Sequence, residues 1–243
     1  MHVFVTAGNT AVLIDRVRCI TNIFTGRTGA AIAAAAHERG HRVTLATSHP
    51  ETVSTLGRDA TDWRVLAYRT FDELRGLMES ALREQTPDAL VHCAAVSDYL
   101  AAGVYATGEG TTFQPEDGRW QGDRPALVDR SAGKVKSDEP ELWLRLVRAP
   151  KLIDLVRSDW GFQGTLVKFK LEVGIDDEKL LEIAEKSRRH SRADLMVANT
   201  LEGSAAYAFL GPLAGGYQRV SRRRLAERLV LALESLQKGR GDG

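Results

Sequence analysis

The apolar and polar positions of the chain fall into a repeating order that begins at the N-terminus. Val3-Phe4-Val5-Thr6-Ala7 is a short apolar run broken at Gly8, as a buried strand would be. Residues 29–39 are alanine-rich and stop at Gly40, which predicts a helix with a glycine C-terminal stop. Residues 41–47 and 63–68 read as a second and a third strand. Over 71–84, Phe71, Leu74, Leu77, Met78, Ala81 and Leu82 recur at helical spacing. Residues 89–95 form a nearly continuous apolar run, expected of a central parallel strand covered on both faces. Strands alternating with helices in this way predict a parallel sheet between helical layers, joined by right-handed crossovers.

Between 100 and 132 the period is lost. The segment is glycine-rich and contains Pro115 and Pro125; it reads as an irregular flap or arm. Order resumes with a strand over 142–147, a helix over 150–157 opened by Pro150, and a strand over 164–171. A helix over 176–190 carries acids in its first turn and basic residues in its last, matching the helix dipole. A strand follows over 193–198, then edge strands over 205–210 and 217–220. Ser221 is expected to cap a final amphipathic helix with Leu225, Leu229, Leu233 and Leu236 on one stripe, and Arg222 to Arg224 to form a solvated face. The predicted fold class is α/β: a Rossmann-like three-layer sandwich with a mostly parallel sheet, antiparallel edge strands and a long flap. One domain is expected over 1–243, with the flap at 100–134.

Composition narrows the classes of function. The chain has 243 residues, 43% hydrophobic and 27% charged, with a net charge of +1. That balance gives no general attraction to nucleic acid or to anionic membrane. No apolar run approaches the roughly 18 residues needed to span a bilayer. The N-terminus enters a strand directly and shows no export signal. Cys19 and Cys93 lie far apart, with no spacing that suggests zinc or a disulfide framework. A cytoplasmic protein without a nucleic-acid or membrane partner is expected.

Candidate chemistry starts at the loop between Gly8 and Gly29. A strand that feeds a helix through a polar, glycine-bearing loop gathers backbone N–H groups and a positive helix end, which suits an anion. The loop is long, since such connections usually run about two to six residues. Phosphate-loop, nucleophile-elbow and zinc-helix motifs are absent. The second strand ends Ala46-Thr47-Ser48, without the acid or arginine that a nicotinamide dinucleotide requires. Asp98 follows the strand at 89–95, where a ribose or base could be gripped; a turn or capping aspartate is the plainer reading. Lys134 and Lys136 follow the flap, Phe169 could stack on a base or fill core, and Asn199 ends a later strand on the same edge.

These residues resemble a family, phosphopantothenate–cysteine ligase, in its stand-alone form. The resemblance runs through Thr6-Ala7-Gly8-Asn9-Thr10, Ile14-Asp15-Arg16-Val17-Arg18, Ile20-Thr21-Asn22, Thr25-Gly26 and Ala94-Ala95-Val96-Ser97-Asp98-Tyr99. It continues through Lys134-Val135-Lys136-Ser137, Pro150-Lys151-Leu152-Ile153, Phe169-Lys170-Leu171-Glu172 and Ala193-Asp194-Leu195-Met196-Val197-Ala198-Asn199.

The resemblance implies that the carboxylate of 4′-phosphopantothenate attacks the α-phosphate of CTP or ATP, with Mg²⁺. An acyl-nucleotide and pyrophosphate form, and the amine of cysteine then displaces the nucleotide. It implies catalytic roles for Asn22, Arg18 and Lys134. Nucleotide would be held by Ala94, Asp98, Pro150, Lys151, Phe169, Lys186 and His190, and substrate by Gly8, Asn9, Thr10, Thr25 and Gly26. No metal ligand is assigned. A homodimer is implied as well. Asn9, Phe24, Lys168 and His190 depart from the family's glycine, serine, glycine and lysine, which leaves open a relative acting on another small acid; a nucleotide-binding module without ligase turnover is the other alternative.

Overall fold

The structure, a computed structural model, describes residues 1–53 and 61–241. Its contacts divide the chain into two compact units: residues 1–10, 23–95 and 151–243 form one, and 11–22 and 96–150 the other.

The first unit is built on an eight-stranded sheet. Its strands are β1 (His2–Ala7), β4 (Arg42–Thr47), β5 (Trp63–Ala67), β6 (Ala89–His92), β12 (Thr165–Glu172), β13 (Leu195–Thr200), β14 (Tyr207–Leu213) and β15 (Gly216–Ser221). They lie in the order β15-β14-β13-β12-β6-β1-β4-β5. The six from β13 to β5 are parallel, and β14 and β15 add antiparallel edges. Helices α1 (Arg27–Glu38) and α5 (Leu225–Gly241) cover one face, where Ala33, Leu229 and Leu233 join Val3, Val5, Val91 and Val167 in the main core. Alternate residues Phe4, Leu90 and Leu166 are buried on the other face. On that face α4 (Asp177–His190) buries Leu180 and Ala184 against Met196 and Ala198. Helices α2 (Phe71–Ser80) and α3 (Leu152–Ser158) complete this unit. The expected three-layer α/β sandwich with antiparallel edge strands is what the chain forms.

The second unit holds the departures from expectation. The stretch read as irregular contains β7 (Tyr99–Thr107), β8 (Thr112–Gln114), β9 (Arg119–Gln121) and β10 (Leu127–Asp129). With β11 (Trp143–Arg148), strands β10 and β7 make an antiparallel sheet, and β8 pairs with β9. Three-residue strands separated by glycines are too short for a period to emerge, and their order comes from pairing across the sheet. The long opening loop likewise contains a hairpin, β2 (Ala11–Leu13) with β3 (Cys19–Thr21).

Three helix-end expectations are corrected. Ser221 makes no capping side-chain bond, because a 3₁₀ turn at Arg222–Arg224 precedes α5. Arg222 is half-buried and donates to the Thr28 hydroxyl instead of facing solvent. Leu236 is 37% exposed, so the buried stripe of α5 stops at Leu233.

Candidate functional site

In the first unit, strand order reverses beside β1: β4 and β5 lie to one side, β6, β12 and β13 to the other. Crevices for ligands form at the carboxyl ends of strands at such a reversal. Here the two chains leaving β1 and β6 stay paired for a few residues. Ala95 N donates to Gly8 O at 2.8 Å, Thr10 N donates to Ala95 O at 3.3 Å, and Asn9 and Ala95 form a parallel bridge. The structure therefore brings Gly8, Asn9 and Thr10 beside Ala94 and Ala95.

Glycine is required at two points of this rim. Gly8 has φ +90° and Gly26 has φ +77°, both in the left-handed region. A Cβ on Gly26 would stand 2.5 Å from Gly8 N, so the start of α1 presses on the end of β1. Gly26 is also the N-cap of α1; no side chain caps it and no acid occupies the first turn. An end of that kind leaves N–H donors and the positive dipole for an anion.

Asn9 is accommodated by a two-way contact with the end of β4. Its N–H donates to Ser48 Oγ at 2.9 Å, and Ser48 Oγ donates to Asn9 Oδ1 at 2.9 Å. Behind the rim, Thr6 Oγ1 lies 2.9 Å from His92 Nδ1 and accepts from Ala94 N at 3.3 Å. Burial, and then the charge of Lys168, push the His92 pKa down to about 4, so its imidazole is neutral at pH 7. Tyr68 donates its hydroxyl to Ala7 O at 2.6 Å, and burial raises its pKa.

Other expected residues are spread along this unit. Phe169 is half-buried and packs against the main core, so part of its ring is structural. Lys151 is exposed at the N-cap of α3. On α4 Lys186 is exposed, and the exposed His190 places Nε2 3.5 Å from Asp154 Oδ2. Thr25 is exposed and Asn199 half-buried.

In the second unit the organising residue is Asp15, which the sequence reading passed over. Its side chain is closed from solvent. Oδ1 accepts from the N–H groups of Val17 (2.8 Å) and Arg18 (2.7 Å), as in an Asx turn. Oδ2 accepts from Arg18 Nε (3.0 Å) and Nη2 (2.7 Å) and from Val135 N (3.1 Å). Arg18 Nη2 also donates to Val135 O at 2.6 Å, and Arg16 N to Gly133 O at 3.1 Å. The Arg18 guanidinium and these N–H groups hold the Asp15 carboxyl well below the usual carboxylate range. The backbone on both sides of Lys134 is thus clamped, while its side chain stays exposed. The clue in the sequence was an acid inside a turn flanked by Arg16 and Arg18.

Asp98 and Pro150 are also drawn close within this unit, since Ala149 N donates to Asp98 O at 2.9 Å. Asn22 follows β3 and is half-buried. Among the described residues, no group of three or more His, Cys, Asp or Glu is placed to hold a metal ion. No helix among them is long and apolar enough to cross a membrane.

Known proteins resemble this chain along its whole length. A Coenzyme A biosynthesis bifunctional protein CoaBC of Thermococcus kodakarensis is 31% identical over 240 residues, which is 97% of this chain and 51% of that protein. Phosphopantothenate–cysteine ligase 1 of Arabidopsis thaliana is 35% identical over 68 residues, 28% of this chain and 21% of its own length. The chain spans about half the length of the first of these relatives and about two fifths of further CoaBC proteins (40% and 42%). The crystal structure of the DNA/pantothenate metabolism flavoprotein from Streptococcus pneumoniae matches with a TM-score of 0.75 and 27% identity, over 97% of this chain and 99% of that one. Residues 1–107 match the family model of the DNA/pantothenate metabolism flavoprotein C-terminal domain, the stretch that carries β1, the hairpin and the paired rim. Over that stretch the chain is similar to the family.

Proposed function

We propose that this chain is a ligase that joins 4′-phosphopantothenate to cysteine, using CTP or ATP to activate the carboxylate. The observation that carries the reading is the paired rim at the strand reversal, where Gly8-Asn9-Thr10 runs beside Ala94-Ala95 next to an uncapped helix start. The names of the relatives support it, because the chain is similar to a CoaBC protein and, over 68 residues, to a phosphopantothenate–cysteine ligase.

A carboxylate is a poor acyl donor at neutral pH, so a mixed anhydride with the nucleotide is chemically required. In this reading the carboxylate oxygen attacks the α-phosphorus and pyrophosphate leaves. The amine nitrogen of cysteine then attacks the acyl carbon, the nucleoside monophosphate leaves, and the amine gives up a proton. Lys134, with its backbone clamped through Asp15 and Arg18, supplies positive charge to the crowded phosphates. Asn22 acts on the acyl-nucleotide. Ala94, Asp98 and Phe169 hold base and ribose, with Pro150, Lys151, Lys186 and His190 also at the nucleotide. Magnesium takes oxygen ligands and is commonly carried by substrate phosphates. No carboxylate cage stands ready among the described residues; the triphosphate would carry the ion, which would neutralise phosphate charge.

A pyrophosphate-release assay with CTP or ATP tests the reading. Release that requires phosphopantothenate, and amide formation that requires cysteine, are expected; no release with that acid removes the proposal. The Asn22→Asp variant is expected to accumulate acyl-nucleotide, and unchanged amide formation would withdraw the role of Asn22. A second reading, activation of a different small acid, is favoured by Asn9, whose side chain occupies the rim against Ser48, and by Phe24 and Lys168; release with another acid alone would select it. We further propose a cytoplasmic homodimer, supported by free Cys19 and Cys93 and by exposed Leu127, Val128 and Leu146 on the second unit's sheet. Light scattering would show the dimer or a monomer.

A further inference from the structure

Lys168 occupies an unusual place. On β12 it alternates with Leu166 and Lys170, and these three share the face that α4 covers. In register it stands beside His92, a buried neutral imidazole. Its ammonium donates to the Ser187 carbonyl at 3.2 Å and to Ser191 Oγ at 2.6 Å, both uncharged acceptors. Asp154 is reached through Ser191, whose hydroxyl donates to Asp154 Oδ1 at 2.8 Å, and Asp154 also faces His190. Burial lowers the Lys168 pKa from the ordinary lysine value; Asp154 opposes the shift, and the charges of Lys170 and Lys151 add to it. Lys170 pairs with Glu172 at 2.8 Å.

An ammonium offers three donors, and two of those of Lys168 are used. A tie between β12 and α4 accounts for those two bonds, but not for two further lysines set near a half-buried cation. Like charges gathered in a partly desolvated place cost stability, and an arriving oxyanion offsets that cost. Lys168 and Lys170 flank Phe169 toward the carboxyl end of β12, and Lys151 stands at the entry to α3.

We propose that Lys168, together with Lys170 and Lys151, forms a phosphate-binding cluster on the first unit that contacts phosphate oxygens of the substrates. Its assignment to the nucleotide's polyphosphate rests on the ligase reading; the phosphate of the acid substrate is the other source of the same chemistry. Isothermal titration of the wild type, Lys168→Met, Lys168→Arg and Lys170→Gln with CTP, ATP, inorganic tripolyphosphate, cytidine and phosphopantothenate tests it, with thermal melts confirming that each variant is folded. Lys168→Met and Lys170→Gln are expected to weaken tripolyphosphate and nucleoside triphosphate about tenfold, leaving cytidine unchanged, while Lys168→Arg retains most of the affinity. Weakening confined to phosphopantothenate keeps the phosphate cluster and moves it to the acid. Wild-type failure to bind any phosphate ligand, or unchanged affinities in the folded variants, overturns the cluster. Should Lys168→Met not fold, unchanged binding by Lys170→Gln overturns it. Absence of pyrophosphate release by the wild type would remove the ligase reading while leaving a loss of tripolyphosphate binding in the variants intact.

Discussion

Gly26 shows how one residue couples backbone to site. Its φ of +77° favours glycine, and a Cβ there would meet the backbone of Gly8 at 2.5 Å. A left-handed non-glycine residue costs about 1–2 kcal/mol before any clash. Gly26→Ala is therefore expected to destabilise the protein by at least about 2 kcal/mol, measured as a shift of the urea midpoint. An unchanged midpoint would mean that the β1–α1 approach is looser than its geometry. Asp15 makes the same point for the second unit. Asp15→Asn keeps size but replaces a two-oxygen acceptor of five donors with an amide that has one acceptor oxygen. It is expected to loosen the segment around Lys134, raising hydrogen exchange at Val135, slowing turnover and lowering the melting temperature. At this scale the sequence named most of the candidate residues through ordered motifs. It did not disclose Asp15, because the value of a buried carboxylate depends on Val135, which is remote in sequence. Lys168 was legible as a departure, but its bonds to Ser187 and Ser191 needed the packing of β12 under α4.

Among the elements, helices were the most legible and short strands the least. The stripe of α2, closed by a capping box between Thr70 and Glu73, repeats every turn and speaks for itself. Strands β8 and β9 carry three residues each, and Trp143 of β11 packs against an aromatic ring from each of them. Phe113, Trp120 and Trp143 stand with ring centroids 4.6 to 5.0 Å apart. Aromatic pairs contribute about 0.5–1.5 kcal/mol beyond area burial. Trp143→Ala is thus expected to raise hydrogen exchange across 112–121 and lower stability by about 3 kcal/mol. Protection of that hairpin as in wild type would show that its own turn suffices. Ser221 illustrates the opposite error. A serine before an amphipathic run reads as a cap, yet Arg222 reaching Thr28 turns the chain into a 3₁₀ entry first.

For the whole molecule, acid stability follows from groups that fold into unlike surroundings. His92 is held neutral, with its pKa near 4 against 6.5 in the open chain. The unfolded chain therefore takes up that proton first, and stability falls as pH drops from about 6.5 to about 4. Hydrogen bonds from Arg39 and His41 hold Glu234 near 2, and bonds from Arg188, Arg189 and Tyr217 hold Glu185 near 2. Depressed carboxylates contribute stability above their unfolded pKa, about 4.5, and lose it toward pH 2. Urea unfolding at pH 7.5, 5 and 3 is expected to show two successive declines. His2, also buried with a lowered pKa, adds to the upper decline; His92→Gln should reduce the upper decline and Glu234→Gln the lower, and declines unaffected by either would refute the assignment.

The sequence by itself determined the class of sheet, the approximate positions of its strands, and the loop motifs that carry the resemblance, because apolar period and turn chemistry are local properties. The tertiary structure decided which of those ends meet. The pairing of Asn9 with Ala95, the clamp of Asp15 on Val135, and the position of Lys168 against α4 each join residues far apart in the chain. Such contacts depend on strand order and on which face a side chain takes, and no local pattern encodes either.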